Sequence, residues 1–178
     1  MANCEKILIA GFSGSGKTGL LRYLEKNCPS SDWHFSDLDQ LVMKTHKVND
    51  LASLIELHGW EKFRLWERQE LEGWLKEEGK GVLSLGGGTL SQMVLNLYRS
   101  SRRVRFCYLY SSFEDCWERL HLQNTEVRPL VRLGKSELLR IYQEREAIFS
   151  QINLKLVNSR ATDLEELSKE FWREVLTS

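Results

Sequence analysis

Apolar positions near the start of the chain run unbroken from Ile7 to Ala10 and stop at Gly11. A short continuous apolar run ending at a turn former predicts a strand buried on both faces that feeds a loop. From Gly16 or Lys17 the period becomes helical, with Leu20, Leu21 and Leu24 on one side and Pro29 just past the end. Further strands are predicted at Trp33 to Ser36, Gly81 to Leu85, Val104 to Tyr110 and Leu154 to Val157, each parted from the next by helical pattern. Such alternation predicts an α/β fold, a parallel sheet with helices on both faces.

Two helix starts carry capping-box spacing, Ser111 with Glu114 and Thr162 with Glu165. Beyond Thr162, the residues Leu164, Leu167, Phe171 and Val175 recur three or four apart, a stripe that faces a core. Between the second and third strands, about Leu38 to Gly79, lies a mostly helical insertion. Residues 123–133, QNTEVRPLVRL, lack a period, carry two arginines and interrupt a helical region, as a mobile lid does. No internal repeat is present, and 178 residues suffice for one good core, so residues 1–178 are read as a single domain.

Composition narrows the partners. Lysine plus arginine number 25, as do aspartate plus glutamate, so no basic field argues for nucleic acid or a membrane surface. Hydrophobic content of 42% with 28% charged residues suits a soluble globular protein. The four cysteines form no CxxC pair and lack histidines at ligand spacing, which removes a zinc or redox motif. The apolar run near the N-terminus is too short for a signal peptide or a membrane span, so a cytoplasmic protein is expected. Its six tryptophans are expected in the core or as anchors for a lid.

The chemistry begins at Gly11 to Thr18, which fits GxxxxGK[ST] between a predicted strand and a predicted helix. Gly14 and Gly16 let backbone amides approach phosphates, Lys17 would reach the outer phosphates, and the Thr18 hydroxyl would sit on magnesium. Next come Asp37 and Asp39 at the end of the second strand, where extended alternation would send both carboxylates to one side. One would hold magnesium through water and the other accept a proton; the competing reading is a helix N-cap by either. Arg64, Glu67 and Arg68 share one helix face and are spaced to pair. Gly86, Gly87 and Gly88 follow a buried strand, so a ligand can touch their backbone. Arg128 in VRPLV suits an arginine that closes over a transferring phosphoryl group, whereas Arg145, beside Glu144 and Glu146, reads alone as a surface residue.

In this order GFSGSGKT, the DLD pair, FR, GGG, RPL and an arginine shortly before an aromatic resemble shikimate kinase, across residues 11–149. The resemblance implies a P-loop kinase, three layers α/β/α around a five-stranded parallel sheet, with a substrate-binding insertion and a lid. It implies transfer from ATP, with magnesium, to the 3-hydroxyl of shikimate, on the route to chorismate and aromatic amino acids, by a protein expected to be a monomer. By the same resemblance Gly14, Ser15, Gly16, Lys17, Thr18, Gly19 and Arg128 bind ATP, and Thr18 and, through water, Asp37 hold magnesium. Asp39 binds substrate hydroxyls and is the candidate base, Arg64 and Arg145 clamp the carboxylate, and Gly86, Gly87 and Gly88 touch the substrate. Lys17, Asp39 and Arg128 are the expected catalytic groups; Arg119 and Arg160 sit near where the family touches adenine.

Three positions depart from the family pattern: Gly19 where threonine is common, Trp60 where GExxFR has glutamate, and Phe149 where tyrosine is usual. Two alternatives stay open at this stage. One is a related kinase with a sugar acid or nucleotide as acceptor; the other is a nucleotide-binding switch, although no guanine-type motif is evident.

Overall fold

The computed structural model describes residues 5–122 and 133–177. Arg128 and the expected lid, apart from Leu133, lie outside the described residues. The strands are β1 (Lys6–Ala10), β2 (Trp33–Asp37), β3 (Lys80–Ser84), β4 (Val104–Tyr110) and β5 (Leu154–Val157). Every pairing is parallel, in the order β2-β3-β1-β4-β5. Strand β1 pairs with β3 on one side and β4 on the other, so the winding direction reverses around it. Ligand crevices in open α/β sheets form at the carboxyl ends of the strands at such a reversal.

Helices α1 (Lys17–Lys26), α2 (Leu38–His46), α3 (Leu51–Lys76), α4 (Gln92–Tyr98), α5 (Phe113–Leu122), α6 (Lys135–Phe149) and α7 (Leu164–Leu176) fill the connections. The two-residue period of β1 divides the core. Ile7 and Ile9 point to one layer with Leu20 and Leu24 of α1 and Leu167 and Phe171 of α7. Leu8 and Ala10 point to the other, with Leu71, Leu120, Leu138 and Phe149. Because both faces are covered, all five residues of β1 are buried, which is why its sequence is continuous rather than alternating. The expected stripe on α7 is core, as Leu167, Phe171 and Val175 are buried.

The insertion has its own small apolar cluster of Val42, Leu54, Ile55 and Phe63. Its long helix α3 is broken at Gly59, whose φ of 80° and ψ of 161° suit glycine alone. Tryptophans 33, 74 and 172 are buried in the core, whereas Trp60 is exposed.

Both expected caps move by one residue. Ser112, not Ser111, accepts from the Asp115 amide at 3.1 Å, because the Ser111 hydroxyl turns back to the Asn158 carbonyl. Asp163, not Thr162, caps α7 by accepting from the Glu165 amide at 3.1 Å; the Thr162 hydroxyl already accepts from the Ser159 amide at 2.9 Å. Among the described residues, no helix is long and apolar enough to cross a membrane.

Candidate active site

The loop between β1 and α1 places glycines where only glycine fits. Gly14 and Gly16 have φ of 85° and 96°, and a Cβ on Gly14 would lie 2.6 Å from the Cys116 carbonyl oxygen. Gly16 is the N-cap of α1 and makes no side-chain cap. The first amides of α1 therefore take no partner from that position, and the helix dipole adds positive potential there. Lys17 is buried, and its ammonium donates to the carbonyls of Gly11 at 2.8 Å and Phe12 at 3.0 Å.

The loop is also pinned from behind. Asn158 Nδ2, after β5, donates to the Ser15 carbonyl at 2.7 Å. Arg119 Nη1 donates to the Gly14 carbonyl at 3.3 Å and to the Ser111 hydroxyl at 2.9 Å. Arg160 instead pairs with Asp115 and Glu118 on the surface.

Asp37 and Asp39 meet in the cavity, but not by extended alternation. The strand ends at Asp37, and Asp39 belongs to the first turn of α2. Asp37 caps that helix through Oδ1, accepting from the amides of Asp39 at 3.0 Å and Gln40 at 3.4 Å. Its other oxygen accepts from the Thr18 hydroxyl at 3.4 Å. Asp37 is thus both the helix cap and, through its other oxygen, a partner of the phosphate-loop threonine.

Asp39 is pushed up from 3.8 to about 6. Burial is the main cause, followed by the negative charges of Asp37 and Glu67; Lys17 and Arg64 oppose the shift. Around Gly86, a Cβ would lie 2.5 Å from Glu67 Oε1, 2.7 Å from Thr89 Oγ1 and 2.9 Å from Asp39 Oδ1. The three oxygens reach one point because that position has no side chain.

Glu67, 1% exposed, ion-pairs with Arg64 and accepts from the Thr89 hydroxyl at 2.5 Å. Arg68 is exposed and takes no part in this cluster. Arg64 and Arg145 do converge: a Cβ on Gly88 would strike Nη2 of Arg64 and lie 2.8 Å from Nη2 of Arg145. Arg145 lies over the Phe12 ring, 5.3 Å from its centroid. Burial first, and then the Arg64 charge, lower it to about 10. Its Nη1 is buried without a hydrogen-bond partner among the described residues, so the pair is suited to an incoming anion.

A cavity of about 510 Å³ joins these groups, lined by Gly14, Lys17 and Thr18 from the phosphate-loop side and by Trp60, Phe63 and Arg64 from α3. Asp37, Asp39 and Gly86 line it too, and Asp39 feels the charges of both Lys17 and Arg64. Arg145 does not itself wall the cavity but reaches Gly88 from α6. Gly19 is exposed with open space where a Cβ would go, so nothing in the packing requires glycine there. Phe149 is 1% exposed and packs on Tyr108 at 5.3 Å, a core position remote in kind from the polar site.

Sequence reasoning left Thr89 and Asn158 without roles and gave Glu67 only a pairing one. Thr89 had a signal, since it directly follows the three glycines. Asn158 had none, because its partner Ser15 lies at the other end of the chain.

The sequence model of the shikimate kinase family matches residues 13–176. A shikimate kinase of Dictyoglomus turgidum is 31% identical over 176 residues, covering 93% of this chain and 94% of that one. One of Lactococcus lactis is 27% identical over 169 residues, covering 93% and 97%. The solved shikimate kinase of Acinetobacter baumannii, in complex with shikimate, superposes with a TM-score of 0.82 over 99% of this chain and 95% of that one. At 20% identity that last likeness is one of fold.

Proposed function

The chain belongs to the shikimate kinase family, and we propose that its cavity passes the terminal phosphoryl group of ATP to the 3-hydroxyl of shikimate. The single observation that carries this reading is the meeting of Arg64 and Arg145 at Gly88, beside a cavity that the phosphate loop also lines. Two forked guanidiniums suit a carboxylate, and Asp39 in the same cavity suits a hydroxyl.

In this reading the loop amides and Lys17 hold the phosphates, and Lys17 leaves the carbonyls of Gly11 and Phe12 to do so. Asp39 orients the acceptor hydroxyl and takes its proton; a carboxylate pushed up to about 6 is a better base at neutral pH than an ordinary one. The base matters less than position, because the phosphoryl group passes through a loose transition state. Arg128, with the lid of residues 123–133, would supply a further cation over the phosphates.

A threonine hydroxyl 3.4 Å from a carboxylate is a donor set that suits magnesium bound mostly by phosphate oxygens and water. Thr18 and, through water, Asp37 would hold it; when bound, it offsets charge on the phosphates. Among the described residues there is no cluster of three acidic, histidine or cysteine side chains that would cage a metal. The balanced charge of the chain supports small molecules as the partners.

The test is ADP release dependent on magnesium and shikimate, with quinate, gluconate, AMP and CMP as rival acceptors, beside Arg64→Ala. Release with shikimate alone, lost in the variant at low shikimate and recovered in part at high shikimate, is the expected result. Release with a rival acceptor overturns the substrate, and no release with any overturns the kinase reading.

A further inference from the structure

Trp60 stands where it is least expected. It is the first residue after the break at Gly59 and is 41% exposed, although a large aromatic side chain gains most from burial. It also lines the cavity. Trp60 and Arg64 are four residues apart and neighbours on the second half of α3. The Arg64 guanidinium carbon lies 5.1 Å from the Trp60 ring and 5.5 Å from the Phe63 ring. The two rings meet edge to face at 6.0 Å.

Arg64 is therefore held in two ways that do not compete. Its Nη1 donates to Glu67, and its guanidinium carbon sits over the indole ring, 5.1 Å from the centroid. An aromatic face attracts a cation without accepting its hydrogen bonds, so the donors not used by Glu67 stay available. A carboxylate at this position would instead consume them. Arg64 also meets a second cation, Arg145, at Gly88, and the attraction of the indole for Arg64 offsets part of the cost of holding two guanidiniums together.

We propose that Trp60 is the positioning residue of the acceptor site: its indole holds the Arg64 guanidinium with free donors facing the cavity, where a carboxylic acid acceptor would meet them. This rests on the shikimate reading of the same site. The break at Gly59 serves that placement, since its backbone conformation starts the second half of α3 at the ring.

Steady-state kinetics of Trp60→Ala, Trp60→Phe, Arg64→Ala and the double variant Trp60→Ala/Arg64→Ala test this. Trp60→Ala should raise the acceptor KM roughly five- to twenty-fold, the range of a partly desolvated cation–π contact. Its kcat and ATP KM should stay within about twofold, and Trp60→Phe should recover most of the loss. The double variant should be no worse than Arg64→Ala alone, because both changes act through one guanidinium. An unchanged acceptor KM in Trp60→Ala, equal losses for ATP and acceptor, or additive losses in the double variant would each overturn the assignment. Wild-type turnover of shikimate tests the function separately; if another acceptor on the panel is used instead, the same ratios are measured with that acceptor.

Discussion

Asp39 and Glu67 bring two carboxylate oxygens to one side of Gly86, 2.9 Å and 2.5 Å from where a Cβ would stand. Burial penalises the ionised form of Asp39 most, and the negative charges of Asp37 and then Glu67 add to it. For Asp39 the result is a rise from 3.8 to about 6. Because the folded value lies above the unfolded one, the fold favours the protonated form. The penalty for ionised Asp39 is absent below the unfolded value and complete above about pH 6. Asp39→Asn should therefore stabilise the protein by about 1–3 kcal/mol at pH 7, with the gain shrinking toward pH 4, as urea unfolding at both pH values would report.

The same carboxylate should shape the rate. Wild-type kcat is expected to fall as pH drops through about 6. Asp39→Asn should turn over slowly, with a flat profile and acceptor binding partly kept. A pH–rate series on both proteins checks this, and wild-type turnover in the variant would remove Asp39 from the chemistry.

Glu67 links the acceptor site to stability. It is 1% exposed and paired with Arg64, whose side chain is 30% exposed. Breaking a fully buried pair costs about 3–5 kcal/mol, and the exposure of Arg64 lowers the expected loss in Glu67→Ala to about 2 kcal/mol. Its acceptor KM should rise roughly tenfold as Arg64 loses its anchor, with the ATP KM unchanged. Glu67→Gln should keep the Thr89 hydrogen bond and so recover part of the stability but less of the binding.

Asn158 should matter at the opposite end. Asn158→Ala leaves the Ser15 carbonyl without its 2.7 Å donor, a loss of about 1 kcal/mol. The phosphate loop then loses one of its pins. Kinetics should show a raised ATP KM with the acceptor KM little altered, the reverse of the Glu67 variants.

Gly88→Ala tests the meeting of the arginines. A methyl group there would displace Nη2 of both Arg64 and Arg145. Since both are ends of flexible side chains, the fold should survive, and the acceptor KM should rise roughly tenfold. Thermal unfolding beside kinetics separates the two effects.

Elements written in consecutive residues were legible from the chain alone. The phosphate loop needs only local spacing and two glycines with positive φ. The strands needed only apolar runs, and the observed spans of β4 and β5 coincide with the expected ones. Order along the chain also carried the family resemblance, and with it the fold and the kinase activity. Even local choices failed where neighbours compete: Ser111 and Ser112, or Thr162 and Asp163, differ as caps only because tertiary partners claim one of each pair. The DLD pair reached the cavity by a strand end and a helix turn, because the backbone becomes helical at Leu38.

What only the tertiary structure decided is what depends on distance through space. Asn158 behind Ser15, Glu67 beneath Gly86 and the two arginines at Gly88 are joined by packing of elements far apart in sequence. So too is much of the proton affinity of Asp39, set first by burial, then by its neighbour Asp37 and by charges on α1 and α3. Spacing along a chain encodes turns, periods and motifs; electrostatics and close approach exist only once the sheet has brought its loops together.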